Sequence, residues 1–288
     1  MAQKKEQHYP VVRTGRIFKP SPAINNSIEI KIGDFMSQTN RRLYRQARTY
    51  QMKIDIDADS VQTYYVYALA DNWMNHRALK MAYDMYLENS AEERERLKGN
   101  ADARWQDFRT LTGAVADAAR TMQYQVTTGT NPGQVTFLDG EFQDTLVVDS
   151  AGANRSFVWQ PTGTASRYSI LEEYDKAGNA QASPDTSTGD MPYDDLMSDD
   201  SALMATHLQT KGNLPPYAAD SVGADKAWVR VGTLSAGPSQ KLSTGFFNAP
   251  CGFVIISNAA GAGFDATKLA WTVKAGDYKG VHAPSMLE

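Results

Sequence analysis

Apolar and polar residues alternate along two early stretches of the chain. Ile28, Ile30 and Ile32 are separated by Glu29 and Lys31, and Tyr50, Met52, Ile54 and Ile56 by Gln51, Lys53 and Asp55. A period of two puts successive side chains on opposite faces, so both stretches are expected as half-buried strands. Residues 61–67, β-branched and aromatic, are expected as a third. Between the first two, residues 37–48 form either a short helix or a basic loop. From residue 68 the period changes: Leu69, Trp73, His76, Leu79, Tyr83 and Leu87 recur at three- and four-residue steps and define one apolar helical face. Ser90-Ala91-Glu92-Glu93 has the form of a capping box that opens a second helix ending near Gly99, and residues 103–108 are expected as one more helical turn. Residues 68–110 therefore read as a helical insertion.

Short strands return at residues 122–126, 135–138, 145–148, 157–159 and 168–171, and again at 228–234, 244–247, 253–257 and 269–273. Turn signals separate many of them, among them Gly129-Thr130-Asn131-Pro132-Gly133 and Asp139-Gly140. A spacing of about 8–12 residues with such punctuation predicts a sandwich or barrel. The run Phe253-Val254-Ile255-Ile256 lacks a polar break, which predicts a central strand buried on both faces, or one between the core and a neighbouring subunit. Two stretches lack these patterns. Residues 1–27 hold Pro10, Pro20 and Pro22 and read as an extended arm; residues 175–225, polar and acidic, read as a long loop.

Composition narrows the class. Across 288 residues there is one cysteine, Cys251, which excludes an intramolecular disulfide and a Cys-based zinc site. Cys251 is expected as a small buried hydrophobe. No apolar run approaches the roughly 18 residues of a membrane span, and residues 1–8 do not read as a signal peptide. A soluble protein of a reducing compartment is expected. The net charge of −4 hides an asymmetry. Residues 1–54 hold 11 Lys/Arg against 3 Asp/Glu, whereas the rest holds 18 against 30. A basic portion of this kind is either a solvated face or an arm that meets a polyanion.

Motifs for catalysis are missing from the sequence. It contains no phosphate-binding Gly-x4-Gly-Lys-Ser/Thr, no His-Glu-x2-His and no Gly-x-Ser-x-Gly. His8, His76, His207 and His282 are widely spaced, and are read as surface or core histidines. Asp55-Ile56-Asp57-Ala58-Asp59 opens like a calcium loop but lacks the sixth-place Gly and the twelfth-place Glu. Gly261-Ala262-Gly263-Phe264-Asp265-Ala266 matches a dinucleotide pattern, yet too few residues follow for a βαβ unit, so a Gly-rich hairpin loop is expected. Asp194-Asp195 and Asp199-Asp200 are read as a solvated loop. No enzyme, cofactor or metal is expected.

The segment Asn40-Arg41-Arg42-Leu43-Tyr44-Arg45-Gln46, the strand after it, the helix with Trp73 and Tyr83, Ala103-Arg104-Trp105-Gln106-Asp107-Phe108, and Gly245-Phe246-Phe247-Asn248-Ala249-Pro250-Cys251-Gly252-Phe253 stand in a familiar order. That order resembles capsid proteins of small icosahedral viruses, notably replication-protein-encoding circular single-stranded DNA viruses. The resemblance spans residues 28–285. It implies a mainly β protein: a single jelly-roll β-sandwich with the helical segment inserted between strands. It also implies self-assembly into a shell, packaging of viral nucleic acid, a possible host receptor, and a place in the virion after synthesis in a host cell. One departure stands out, since such capsids carry long Arg-rich arms and residues 1–27 hold only Lys4, Lys5, Arg13, Arg16 and Lys19.

These five residues, with Arg41, Arg42, Arg45 and Arg48, are the expected nucleic-acid-binding set, and Tyr44 is placed to stack on a base. The alternative for the arginines is pairing with acids of a neighbouring subunit. Residues 171–200 hold nine acidic residues and one basic, Lys176, so the acidic loop is expected on the outer surface or at an outward subunit contact. Two other classes compete. A carbohydrate- or receptor-binding module would display Trp159, Tyr193 and Tyr217 in loops. A β-sandwich enzyme would use Glu172 and Glu173, but neighbours on a strand point to opposite faces.

Overall fold

The computed structural model describes residues 10–17, 27–58, 62–97, 105–113, 123–125, 134–136, 144–149, 151–159, 167–179, 227–236, 240–259 and 269–288. Among them the chain is mainly β, with fourteen strands and four helices, and its sheets are antiparallel apart from one pairing.

One large sheet contains β1 (Thr14–Ile17), β14 (Leu269–Val273), β3 (Thr49–Ala58) and β11 (Gln240–Ser243), in that order, with β12 (Phe247–Pro250) also pairing with β3. A second runs β10 (Trp228–Ala236), β4 (Gln62–Leu69), β13 (Phe253–Asn258), β2 (Ser27–Lys31). The alternation in the sequence sets the register. Ile54 lies opposite Trp271 and Ile56 opposite Leu269, while Val254 and Ile256 of β13 lie between Ile30 and Ile28 on one side and Ala68 and Val66 on the other. All of these but Ala68, with Met52 and Val273, form one apolar core, and every one of them is at most 3 % exposed. Each fully buried large side chain contributes about 1.5–3 kcal/mol. Within the span read as an extended arm, Thr14–Ile17 is an edge strand paired with β14.

Most of the described elements between β4 and β10 form a second assembly. It contains α2 (Trp73–Asn89), α3 (Ala91–Leu97), the sheet β7 (Leu146–Val148), β8 (Asn154–Val158) and β9 (Arg167–Ser169), and α4 (Ile170–Asn179), while the pair β5 (Gln123–Gln125) and β6 (Gln134–Thr136) lies beside β1. β8 and β9 pair in parallel. Leu79, Tyr86, Phe108, Phe157, Trp159 and Ile170 are in its core, which Phe253 joins from the second large sheet and Cys251 from the turn before β13. The apolar run 253–256 is thus continuous because Val254 and Ile256 face one core while Phe253 faces the other.

Several expected details differ. The buried face of α2 is Asn75, Ala78, Leu79, Ala82 and Tyr86, and Trp73 is 51 % exposed. Asn72 caps this helix by accepting from the Asn75 amide, whose own side chain donates to Ala70 O at 2.8 Å. The capping box does not form. Ser90 ends α2, with its Oγ donating to Tyr86 O at 2.7 Å and accepting from Arg94 Nε at 3.0 Å. Its hydroxyl is committed to the preceding turn because α3 follows α2 without a spacer. Residues 106–110 are not helical; Leu111 bridges to Val158 in parallel. The strand expected at 168–171 ends at Ser169 and becomes α4, so Glu172 and Glu173 stand in the first turn of a helix. Trp159, which a carbohydrate- or receptor-binding module would display in a loop, is fully buried, and its Nε1 donates to Thr110 Oγ1 at 3.0 Å. Gly99, the segment 261–266 and Tyr193, Tyr217, Asp194, Asp195, Asp199 and Asp200 lie outside the described residues, as does the acidic stretch beyond Asn179.

Candidate nucleic-acid interface

The basic segment resolves into helix and loop. α1 (Ile32–Asn40) ends where Arg41 takes a left-handed conformation (φ 51°, ψ 39°), and the Arg42 amide donates to Ser37 O at 3.3 Å. Arg41, Arg42, Arg45 and Arg48 therefore follow the helix in a loop and share no helical face. Two tyrosines hold that loop to the core. Tyr50, fully buried, donates from its hydroxyl to Arg45 O at 2.6 Å; Tyr44, also fully buried, donates to Lys279 O at 2.9 Å. Burial pushes both phenols above their usual range. Tyr44 is thus a core anchor, and the expected stacking on a base has no exposed ring to use.

Two distant segments close on the loop. The Asn40 side chain donates to Val12 O and accepts from Val12 N, both at 2.9 Å, in a two-bond clasp between the start of the chain and the end of α1. Lys279 Nζ donates to Leu43 O at 2.5 Å. Gly280 packs so closely on Val11 that an added Cβ would lie 2.8 Å from Val11 Cγ2. These contacts gather exposed Arg13, Arg41, Arg42, Arg45 and Lys279 into one neighbourhood, with exposed Asp277 on the same turn as Lys279.

Arg48 is different from its neighbours. It is half-buried, its Nη1 donates to Ala283 O at 2.6 Å, and its guanidinium lies over the Tyr278 ring. Lys4, Lys5 and Lys19 lie outside the described residues; Arg16 belongs to β1. Lys279 was missed because it stands in the turn Asp277-Tyr278-Lys279-Gly280, more than 230 residues from the loop it touches, and no local pattern links the two.

A polar layer beneath the loop ties it to the second assembly. Gln46 Nε2 donates to Thr110 O at 3.1 Å and its Oε1 accepts from Thr110 N, as a strand partner would. The Gln46 amide donates to Asp107 Oδ2 at 2.7 Å, and Arg109 pairs with Asp34. Burial pushes the Asp107 carboxyl up to about 6, against the opposing pull of the Gln46 amide, Arg109 and Arg45.

His76 pairs with Asp71 at 2.9 Å, and His282 gives its backbone amide to Lys274 O. Among the described residues no three His, Cys, Asp or Glu side chains gather at metal-binding spacing, and no helix is long and apolar enough to cross a membrane. No family model, curated protein or solved structure matches this chain.

Proposed function

We propose that the chain is a capsid subunit, folded as a jelly roll, that assembles with copies of itself into an icosahedral shell around a viral nucleic acid. The strand order of the two large sheets carries the proposal. With β11 and β12 counted as one strand, since both lie on β3, the strands numbered along the chain run 1-8-3-6 in one sheet and 2-7-4-5 in the other. The pairs 1·8, 2·7, 3·6 and 4·5 are then rungs of one long antiparallel ribbon, and alternate rungs fall in opposite sheets. A jelly roll has this order, which leaves few strand edges open and frees loops and flanking segments for contacts between subunits. The helical insertion sits at the tip of that ribbon, in the β4–β10 connection.

In this reading Arg13, Arg41, Arg42, Arg45 and Lys279 face the genome and meet phosphates without sequence preference, and Lys4, Lys5, Arg16 and Lys19 extend the same surface. Nucleic acid lowers repulsion among these charges as subunits close up, while symmetric contacts supply the association energy. The protein resides in the virion. Negative-stain electron microscopy of the purified chain, with and without single-stranded DNA, tests the proposal. Closed shells of uniform diameter are expected. A chain that stays monomeric in sedimentation at every concentration and salt, with and without DNA, overturns it.

A further inference from the structure

A cavity of about 300 Å³ opens between the loop after α1, helices α2 and α3, residues 106–108 and the C-terminal segment. Three arginines from two elements line it: Arg45 and Arg48 of the loop after α1, and Arg94 of α3. One acid, Asp107, shares the wall, so the lining carries two positive charges in excess even with that carboxyl ionised.

Two of the guanidinium groups are held in place, and none of the three is consumed. Arg94 lies over the Tyr86 ring at 4.9 Å and gives only Nε, to Ser90 Oγ. Arg48 lies over Tyr278 at 3.5 Å and gives Nη1 to Ala283 O. Arg45 makes no side-chain hydrogen bond or ion pair among the described residues. A guanidinium carries five N–H donors, so each of the three retains several. Stacking on rings fixes two of them in advance, which reduces the rotamer freedom lost when an oxyanion is bound. Gln106, whose Nε2 donates to Tyr86 OH at 3.2 Å, adds a further polar group to the wall.

The charge balance selects the ligand. A phosphate monoester brings about −1.5 to −2 near neutral pH, which matches an excess of two, whereas a carboxylate brings one charge. The volume is at the lower end of small-molecule sites, roughly 300–1,000 Å³, and suits a phosphate with its sugar. We propose that this cleft is a phosphate site that takes the phosphate monoester of a nucleotide, free or at the end of a strand. The proposal rests on the nucleic-acid reading above and adds to it a built pocket, with Arg94 as a residue outside the exposed basic neighbourhood.

Titration calorimetry of the full chain with dTMP, thymidine and a short 5′-phosphorylated oligothymidylate tests it. dTMP is expected to bind and thymidine not to. Arg94→Ala and Arg45→Ala are each expected to weaken dTMP about tenfold, the usual loss for a charge-assisted hydrogen bond. Asp107→Asn is expected to tighten it. Arg41→Ala is expected to leave dTMP unchanged and to weaken the oligonucleotide. Binding of the strand but not of dTMP, still weakened in Arg94→Ala, assigns the strand as the source of the phosphate. Binding of dTMP no better than thymidine, together with strand binding indifferent to Arg94→Ala and Arg45→Ala, overturns the cleft. So does a loss of self-association in those variants with phosphate binding intact, which would assign the cleft to a carboxylate of a second copy. Strand binding weakened by Arg41→Ala alone leaves the exposed interface standing without the cleft. Binding of dTMP through the cleft, with no response of the strand to Arg41→Ala and Arg42→Ala, does the reverse.

Discussion

The guanidinium of Arg48 lies 3.5 Å from the centroid of the Tyr278 ring while its Nη1 donates to Ala283 O at 2.6 Å. This arginine therefore fastens the C-terminal segment to the start of β3, an anchoring contact that exposed Arg41 and Arg42 do not make among the described residues. Arg48→Ala is expected to lower stability by about 1–3 kcal/mol, from the lost cation–π contact and the lost charged hydrogen bond. Arg41→Ala and Arg42→Ala are expected to stay within about 0.5 kcal/mol of the parent. Urea unfolding of the three variants checks this; equal losses at all three positions would contradict it.

The same contrast extends to nucleic acid. Each phosphate contact to a single strand contributes about 0.7 to the slope of log affinity against log salt. The double variant Arg41→Ala with Arg42→Ala is expected to lower that slope by about 1.4, provided both residues meet phosphates. Arg13→Ala, whose neighbour Val12 is clasped by Asn40, is expected to lower it further. Filter binding across a salt series reads the slope directly, and an unchanged slope in the double variant would assign these arginines to another partner.

The sheets were readable in the sequence because their burial is periodic. Ile28 and Ile30, Met52 and Ile54, and the run 253–256 reach the cores that their spacing implied. The phase of α2 was not readable. Its buried face contains two alanines and Asn75, and Asn75 is buried because its side chain satisfies Ala70 O, whereas the bulkier Trp73 faces outward. Volume and hydropathy pointed to the wrong stripe. Of the candidate site, the cluster of arginines was visible as composition, but the division of labour within it was not. Tyr44 and Arg48 are fixed by Lys279 and Ala283, each 235 residues away. Arg94 joins Arg45 and Arg48 only because α2 and α3 line the same cavity as the loop.

Asp107 gives the fold a pH dependence of definite sign. Its carboxyl is raised from 3.8 to about 6, chiefly by burial. The folded chain then holds this proton more tightly than the unfolded chain does. The stabilisation is complete below about pH 4 and is lost as pH rises through about 6. Above that, a displacement of about two pK units corresponds to roughly 3 kcal/mol of destabilisation from this one group, at about 1.4 kcal/mol per unit. Asp107→Asn keeps an oxygen to accept from the Gln46 amide and removes the charge. It is expected to raise stability by about 1–3 kcal/mol near pH 7 and to have little effect near pH 4. Urea midpoints across that range check the sign; a variant less stable than the parent near pH 7 would show that the Arg45 and Arg109 charges outweigh burial.

The turn between β12 and β13 concentrates strain in two residues. Cys251 has φ 55° and Gly252 has φ 67°. At Gly252 a Cβ would lie 2.7 Å from Ile32 Cγ2 and 3.3 Å from the Gly33 amide nitrogen, so a side chain meets both a left-handed backbone and a packed wall. The Gly252 carbonyl also accepts from Ile32 N at 2.9 Å, which stops the turn from moving aside. Gly252→Ala is therefore expected to cost about 2–4 kcal/mol, from about 1–2 for the backbone and about 1–3 for overpacking, partly shared. Cys251 tolerates the same backbone with its side chain buried. Its amide points at Met286 Sδ, 3.2 Å away, and its Sγ lies 3.8 Å from the same sulfur. Burial pushes the thiol well above its ordinary range, so little thiolate forms. Cys251→Ala is expected to cost on the order of 1 kcal/mol, a small loss of packing with assembly intact. In the native protein the thiol should resist a disulfide reagent and react stoichiometrically once urea unfolds the chain. Fast labelling of the native protein, or a Gly252→Ala variant as stable as the parent, would show that this turn opens in solution and that the contact with α1 does not hold it.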